Sequence, residues 1–201
     1  CYGLLGNVDK DNKPAEENVL SESDLACWEE QGYVIVRNAI SPADCAESRQ
    51  AIWQYLNMFE HDPASWYVST IKLEGIMAPL YHHSVLNKNR YSFRIRRAFE
   101  QLWNQTGLIV TTDKCGFNPP ETATVKYRGI GLHWDMSLTT PIPFGTQGIL
   151  YLTDTASNQG ALTVVPGFHK RIECWLASLP VDVNPRDTDF SPFHPQPIAA
   201  N

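Results

Sequence analysis

Long apolar runs are missing from the 201 residues: nothing approaches the ~20 consecutive positions that a bilayer span requires. The first residues also lack the basic and apolar blocks of a secretory leader, and a cytoplasmic protein is expected. Positive charge is scarce as well. Sixteen Lys and Arg face 22 Asp and Glu for a net charge of −6, and the densest basic group is Arg94, Arg96 and Arg97, which is no nucleic-acid footprint. The five cysteines (Cys1, Cys27, Cys45, Cys115, Cys174) include no C-x-x-C pair, so neither a zinc knuckle nor a dithiol redox motif is present, and reduced, mostly buried thiols are expected. Asp9 and Asp11 do not make a calcium loop, because Pro14 stands where the sharp-turn Gly belongs. There is no initiator Met and no polar tail around Ile198–Asn201, so the sequence is expected to be a piece of a longer chain.

What is present is 43% apolar residues, enough for one globular domain with a core. Residues 1–20 read as a polar arm, and residues 21–201 as a single domain. Ser21 caps a short helix ending near Gln31-Gly32, ahead of a β-prone run Tyr33–Val36. Ser41-Pro42-Ala43-Asp44 supplies an N-cap, a first-turn proline and a first-turn acid for a helix reaching about Met58, with Cys45, Ile52, Tyr55, Leu56 and Phe59 on one face. Another helix is expected over residues 93–104, then a strand over 108–112. Past Cys115 the character changes. Short β-prone runs at 123–127, 132–136, 148–153 and 162–165, separated by Gly, Pro, Asn and Ser, suggest a jelly roll or barrel. A short helix closes at Leu176–Leu179, and a Pro-rich extended stretch runs from Pro180 to Pro197.

The chemistry centres on His133-Trp134-Asp135. In extended chain, residues two apart project from the same face, so the imidazole and the carboxylate can grip one ion while Trp134 points the other way, into packing. A His and a carboxylate are two-thirds of the 2-His-1-carboxylate triad, which covers one face of Fe(II) and leaves the rest open. With six His and eleven Asp in 201 residues, chance alone yields roughly 0.3 His-x-Asp pairs, so the surrounding residues must carry the argument.

Those surroundings are Val125-Lys126-Tyr127-Arg128-Gly129 leading into Gly131–Asp135, then Gly148–Asp154, then Asn158-Gln159-Gly160-Ala161-Leu162 and Val165-Pro166-Gly167-Phe168-His169-Lys170. Together with Gln31–Val36, the helix after Ser41-Pro42, and Asp113–Pro120, their order and spacing resemble the phytanoyl-CoA dioxygenase family over roughly residues 21–201. The resemblance implies a mainly β fold with N-terminal helices, namely a double-stranded β-helix of the cupin-like jelly-roll type. It further implies Fe(II) and 2-oxoglutarate as cofactors, O2 and a small molecule as substrates, and hydroxylation of an unactivated C–H bond with release of succinate and CO2. No nucleic-acid or membrane partner is expected.

His133 and Asp135 are thereby expected as metal ligands and catalytic residues. The family's third ligand, a late-strand His, and the Arg that anchors the far carboxylate of 2-oxoglutarate are expected beyond Asn201. Of the other histidines, His194 sits in a Pro-rich loop, His169 is expected at a helix cap or pocket rim, and adjacent His82 and His83 point apart. Lys126 and Thr124, with Thr122 at the same strand parity, are candidates for binding the cofactor or substrate carboxylate; an exposed strand lysine is the competing reading. The alternative function is a cupin-like binding protein with an incomplete triad. Asp135 argues against a halogenase, which replaces this carboxylate with a small residue.

Overall fold

A computed structural model describes residues 17–68, 71–127, 129 and 131–200. Helix α1 spans Glu22–Gln31, and the Ser21 hydroxyl accepts from the Asp24 backbone while the Asp24 carboxylate accepts from the Ser21 backbone, a reciprocal capping box. Helix α2 spans Pro42–Leu56 behind a Ser41 cap and a first-turn proline. Helices α3 (Ser84–Arg90), α4 (Phe93–Trp103) and α5 (Ile172–Ser178) complete the helical set among the described residues. The expected helices at 22–31, 42–56 and 93–103 are therefore in place. Helix α3 is additional, and the side chain of His83 caps it by accepting from the Val85 backbone at 3.4 Å.

The main core lies where α2 meets α3. Leu56 and Ala78 are completely buried, and Ile52, Met58, Leu86 and Cys115 close around them, with Trp53 stacked on Trp66 at 5.7 Å and edge-on to Phe117 at 5.1 Å. The face expected for α2 holds for Ile52 and Leu56. Phe59, expected with them, is 66% exposed, because α2 ends at Asn57 in a left-handed cap and the chain turns away before that residue can reach the core. One polar chain is buried with the apolar groups: Asn89 donates to the Ser48 hydroxyl at 2.7 Å, which donates to the Asp44 carbonyl at 2.7 Å.

Strand pairing is sparse among the described residues. Strand β1 (Met77–Ala78) pairs antiparallel with β2 (Cys115–Gly116), and β3 (Thr163–Val164) with β4 (Gln196–Pro197). The runs at 33–36, 108–112, 148–153 and 132–136 trace chain without ladder hydrogen bonds, since a β-prone run becomes a strand only where a second backbone edge lies alongside it. The late chain supplies such an edge once: Ile198 donates to Leu162 at 2.8 Å, and Thr155 and Ala200 exchange both backbone bonds at 2.7 and 3.0 Å.

The early and late halves are joined at the C-terminus of α1. Gly32 has φ 79°, and a Cβ there would lie 2.5 Å from His169 Nδ1, so a side chain at this position is excluded both by conformation and by space. Gly167 donates to Gln31 O at 2.9 Å, His169 Nε2 lies 3.1 Å from Glu29 O, and Lys170 pairs with Glu30. His169 thus caps α1, rather than the helix that follows it.

The Arg94, Arg96 and Arg97 cluster turns inward on α4. Arg96 meets the buried Glu100 at 2.8 Å and Arg97 meets it at 3.6 Å, while Arg94 donates to Arg37 O at 2.9 Å. Cys27, Cys45, Cys115 and Cys174 are free thiols. Among these described cysteines Cys115 alone is buried and Cys174 is exposed, which corrects the expectation of mostly buried thiols; Cys1 lies outside the described residues. No helix among the described residues is long and apolar enough to cross a membrane.

Truncating Leu56 leaves a cavity in the α2–α3 core, so Leu56→Ala is expected to cost about 3 kcal/mol in urea unfolding. Burial pushes the Cys115 thiol up to about 11, so a thiol-alkylating reagent at pH 8 is expected to label Cys174 while sparing Cys115 until the protein is unfolded; mass-mapped labelling checks this.

Candidate metal site

Trp134 organises the site. Its ring packs 5.7 Å from Phe190, 5.9 Å from Phe168 and 6.1 Å from Trp175, an aromatic cluster in which Phe168 and Phe190 are buried. With Trp134 turned into packing, its neighbours turn outward together, as the alternation of extended chain requires. The expected orientation is therefore present without a strand ladder.

His133 Nε2 lies 3.2 Å from Asp135 Oδ1, with the two side chains 45% and 58% exposed. His133 Nδ1 lies 2.8 Å from Gly131 O; a carbonyl only accepts, so Nδ1 carries the proton. In the neutral ring, Nε2 then presents a lone pair to a carboxylate oxygen. Two acceptors facing each other call for a cation between them, either a second ring proton or a metal ion. The spacing suits a metal: ligands about 2.1 Å from one ion at right angles to each other are about 3.0 Å apart.

The outer contacts are also those of a ligand pair. A metal-binding His typically donates its other N–H to a carbonyl, and a ligating carboxylate typically accepts a further hydrogen bond. Here Gly131 O serves the first role, and Gln147 Nε2, donating to Asp135 Oδ2 at 2.9 Å, serves the second. Arg186 donates to Trp134 O at 2.6 Å and to Met136 O at 2.7 Å, bracketing Asp135. Neither Gln147 nor Arg186 was legible as a site residue from the sequence, since each acts from 12 or 50 residues and more away and carries no motif. No third His, Cys, Asp or Glu joins the pair among the described residues. His194 adopts a left-handed conformation after the turn Ser191–Phe193, the loop position expected for it.

The strand expected over residues 123–127 requires correction. Thr122 N donates to Val125 O at 2.9 Å, and the Thr122 hydroxyl accepts from Val125 N at 2.9 Å and Thr124 N at 3.3 Å. This is a side-chain-supported turn, in which the threonine hydroxyls compete with ladder bonds, so the parity argument for Thr122, Thr124 and Lys126 does not apply. Lys126 is exposed, lies 3.8 Å from Glu121, and lines a cavity of about 100 Å³ with Trp66, Phe117 and Tyr127 that includes neither His133 nor Asp135. Among the described residues, no hydrogen bond or ion pair joins Lys126 or Thr124 to His133 or Asp135.

Removing the Gln147 amide should leave the fold intact and loosen the carboxylate. Gln147→Leu is expected to weaken Co(II) binding about 10- to 100-fold, read by visible absorption, with unchanged far-UV circular dichroism. Comparison with curated proteins and with solved structures gives no match. The family model of phytanoyl-CoA dioxygenase (PhyH) matches residues 28–179, which contain the C-terminal end of α1, all of α2 to α5 and the whole His133–Asp135 loop with its Gln147 contact. The chain therefore belongs to the phytanoyl-CoA dioxygenase family, whose activity is that of Fe(II)- and 2-oxoglutarate-dependent oxygenases.

Proposed function

We propose that this protein is an Fe(II)- and 2-oxoglutarate-dependent hydroxylase acting on an unactivated C–H bond of a small organic metabolite. The observation that carries the reading is the outward-facing pair His133 Nε2 and Asp135 Oδ1, 3.2 Å apart and each oriented by a second hydrogen bond, inside a family of such oxygenases. When bound there, Fe(II) with 2-oxoglutarate and O2 supplies an oxidation that divides one O2 between succinate, formed with loss of CO2, and the hydroxylated product.

The chain's own part is positional. Gly131 O holds the His133 ring in the tautomer that frees Nε2, Gln147 fixes Asp135 Oδ2, and the inward-packed Trp134 ring keeps both ligands turned outward. The third ligand and the carboxylate-anchoring Arg belong to the proposal as groups supplied from outside the described residues. So does the double-stranded β-helix, of which the β3–β4 pair and the Thr155–Ala200 bridge would be one paired edge.

A second reading, a cupin-like binding protein without turnover, is favoured by the lack of a three-ligand group among the described residues. One assay separates the two. Full-length protein is supplied with Fe(II), ascorbate, isotopically labelled 2-oxoglutarate and a panel of small substrates, and labelled succinate is measured by mass spectrometry. Succinate formation that His133→Ala and Asp135→Ala each reduce at least 100-fold is expected; iron uptake with no succinate across the panel would favour the binding role.

A further inference from the structure

The loop that carries the metal pair is gripped by a segment lying beyond the family match. Arg186 sits in the 3-10 turn Pro185–Asp187, past residue 179 where the match ends. Its two terminal nitrogens donate to Trp134 O and Met136 O at 2.6 and 2.7 Å. These carbonyls belong to peptide planes separated by the φ/ψ pairs of Asp135 and Met136. A guanidinium is a rigid planar fork, so binding both carbonyls to it restricts those four torsions together.

The turn that presents Arg186 is itself fixed. The Asn184 side chain accepts from the Arg186 backbone at 3.1 Å and donates to Asp187 at 3.0 Å. Four residues after Arg186, Phe190 is buried against the Trp134 ring, and Phe193 packs 5.3 Å from Phe168 in the same cluster. One stretch of chain thus holds the loop twice: by its backbone on both sides of Asp135 and by the ring of Trp134.

We propose that Arg186 is a positioning residue for the iron site, setting the carboxylate of Asp135 beside His133 by clamping the carbonyls of Trp134 and Met136. The proposal rests on the reading of His133 and Asp135 as metal ligands. It assigns to the segment after residue 179 a share in metal affinity that the ligand motif does not contain. A lysine cannot replace the fork, because an ammonium on a flexible stem reaches one carbonyl without fixing the other.

The test uses full-length protein and Co(II) as the probe, with affinity and band shape read from visible absorption. Wild type, Arg186→Ala, Arg186→Lys and the ligand control Asp135→Ala are compared, and thermal melting is followed for each. Arg186→Ala is expected to raise the Co(II) Kd about tenfold and alter the band while the melting temperature is kept, with millimolar guanidinium ion restoring affinity in this variant alone. Arg186→Lys is expected between wild type and Arg186→Ala. An Arg186→Ala protein with the wild-type Kd and spectrum overturns the proposal. Should that variant fail to fold, Arg186→Lys decides: a raised Kd at unchanged melting temperature supports the clamp, and a wild-type Kd overturns it. Wild type that takes up no Co(II) instead sinks the metal-site reading itself, and the role of Arg186 falls with it.

Discussion

The packing of the half-buried Trp134 ring is the constraint on which the site depends. Its ring lies among Phe168, Trp175 and Phe190, contributed by the turn before α5, by α5 itself and by the late Pro-rich stretch. A large aromatic side chain buries more apolar surface than any neighbour on its loop, so its orientation dominates theirs. Once the ring faces inward, the imidazole and carboxylate beside it must face solvent on a common side. The His133–Asp135 geometry follows from where the tryptophan is held, with no strand ladder required.

Hydrogen bonding then decides which atoms the outward pair presents. The Gly131 carbonyl fixes the proton on Nδ1, which leaves Nε2 and a carboxylate oxygen as facing acceptors. Both groups are about half exposed, so this face of the pair is open to solvent and to a cation. Two other surface carboxylates sit in helix caps: the Lys88 ammonium and the Ser41 cap hold Asp44 below its ordinary value of 3.8, and the Ser21 cap does the same for Asp24. Because these folded-state values are depressed, the cap contributions are fully present above the unfolded carboxylate range and fade as pH falls through the lowered values.

The two halves of the chain cooperate through contacts distant in sequence. Helix α1 ends on Gly32 against His169, with Gly167 and Lys170 completing the joint, so the first helix is docked on the turn that also carries Phe168. Phe168 in turn touches Trp134, Trp175, Phe190 and Phe193. Through this turn the helical layer and the metal loop share one support.

Helix starts were legible because their signals are local: Ser21 and Ser41 lie three residues from the acids they bond, and Pro42 is already preset for a first turn. The facing of His133 and Asp135 was legible for the same reason, since alternation is a property of two adjacent peptide units. Of the expected strands, the run at 162–165 holds β3, whereas a run such as 148–153 has β-prone residues whichever edge it meets, and the partner is a matter of long-range placement. The strand expected over 123–127 failed on the same principle: the Thr122 hydroxyl could bond locally, and a turn replaced the ladder. The amino-acid sequence by itself determined the helix caps, the common facing of His133 and Asp135 and the family; the tertiary structure alone decided that Gln147, Arg186 and Phe190 stand around that pair, because they reach it across 12 to 56 residues of chain.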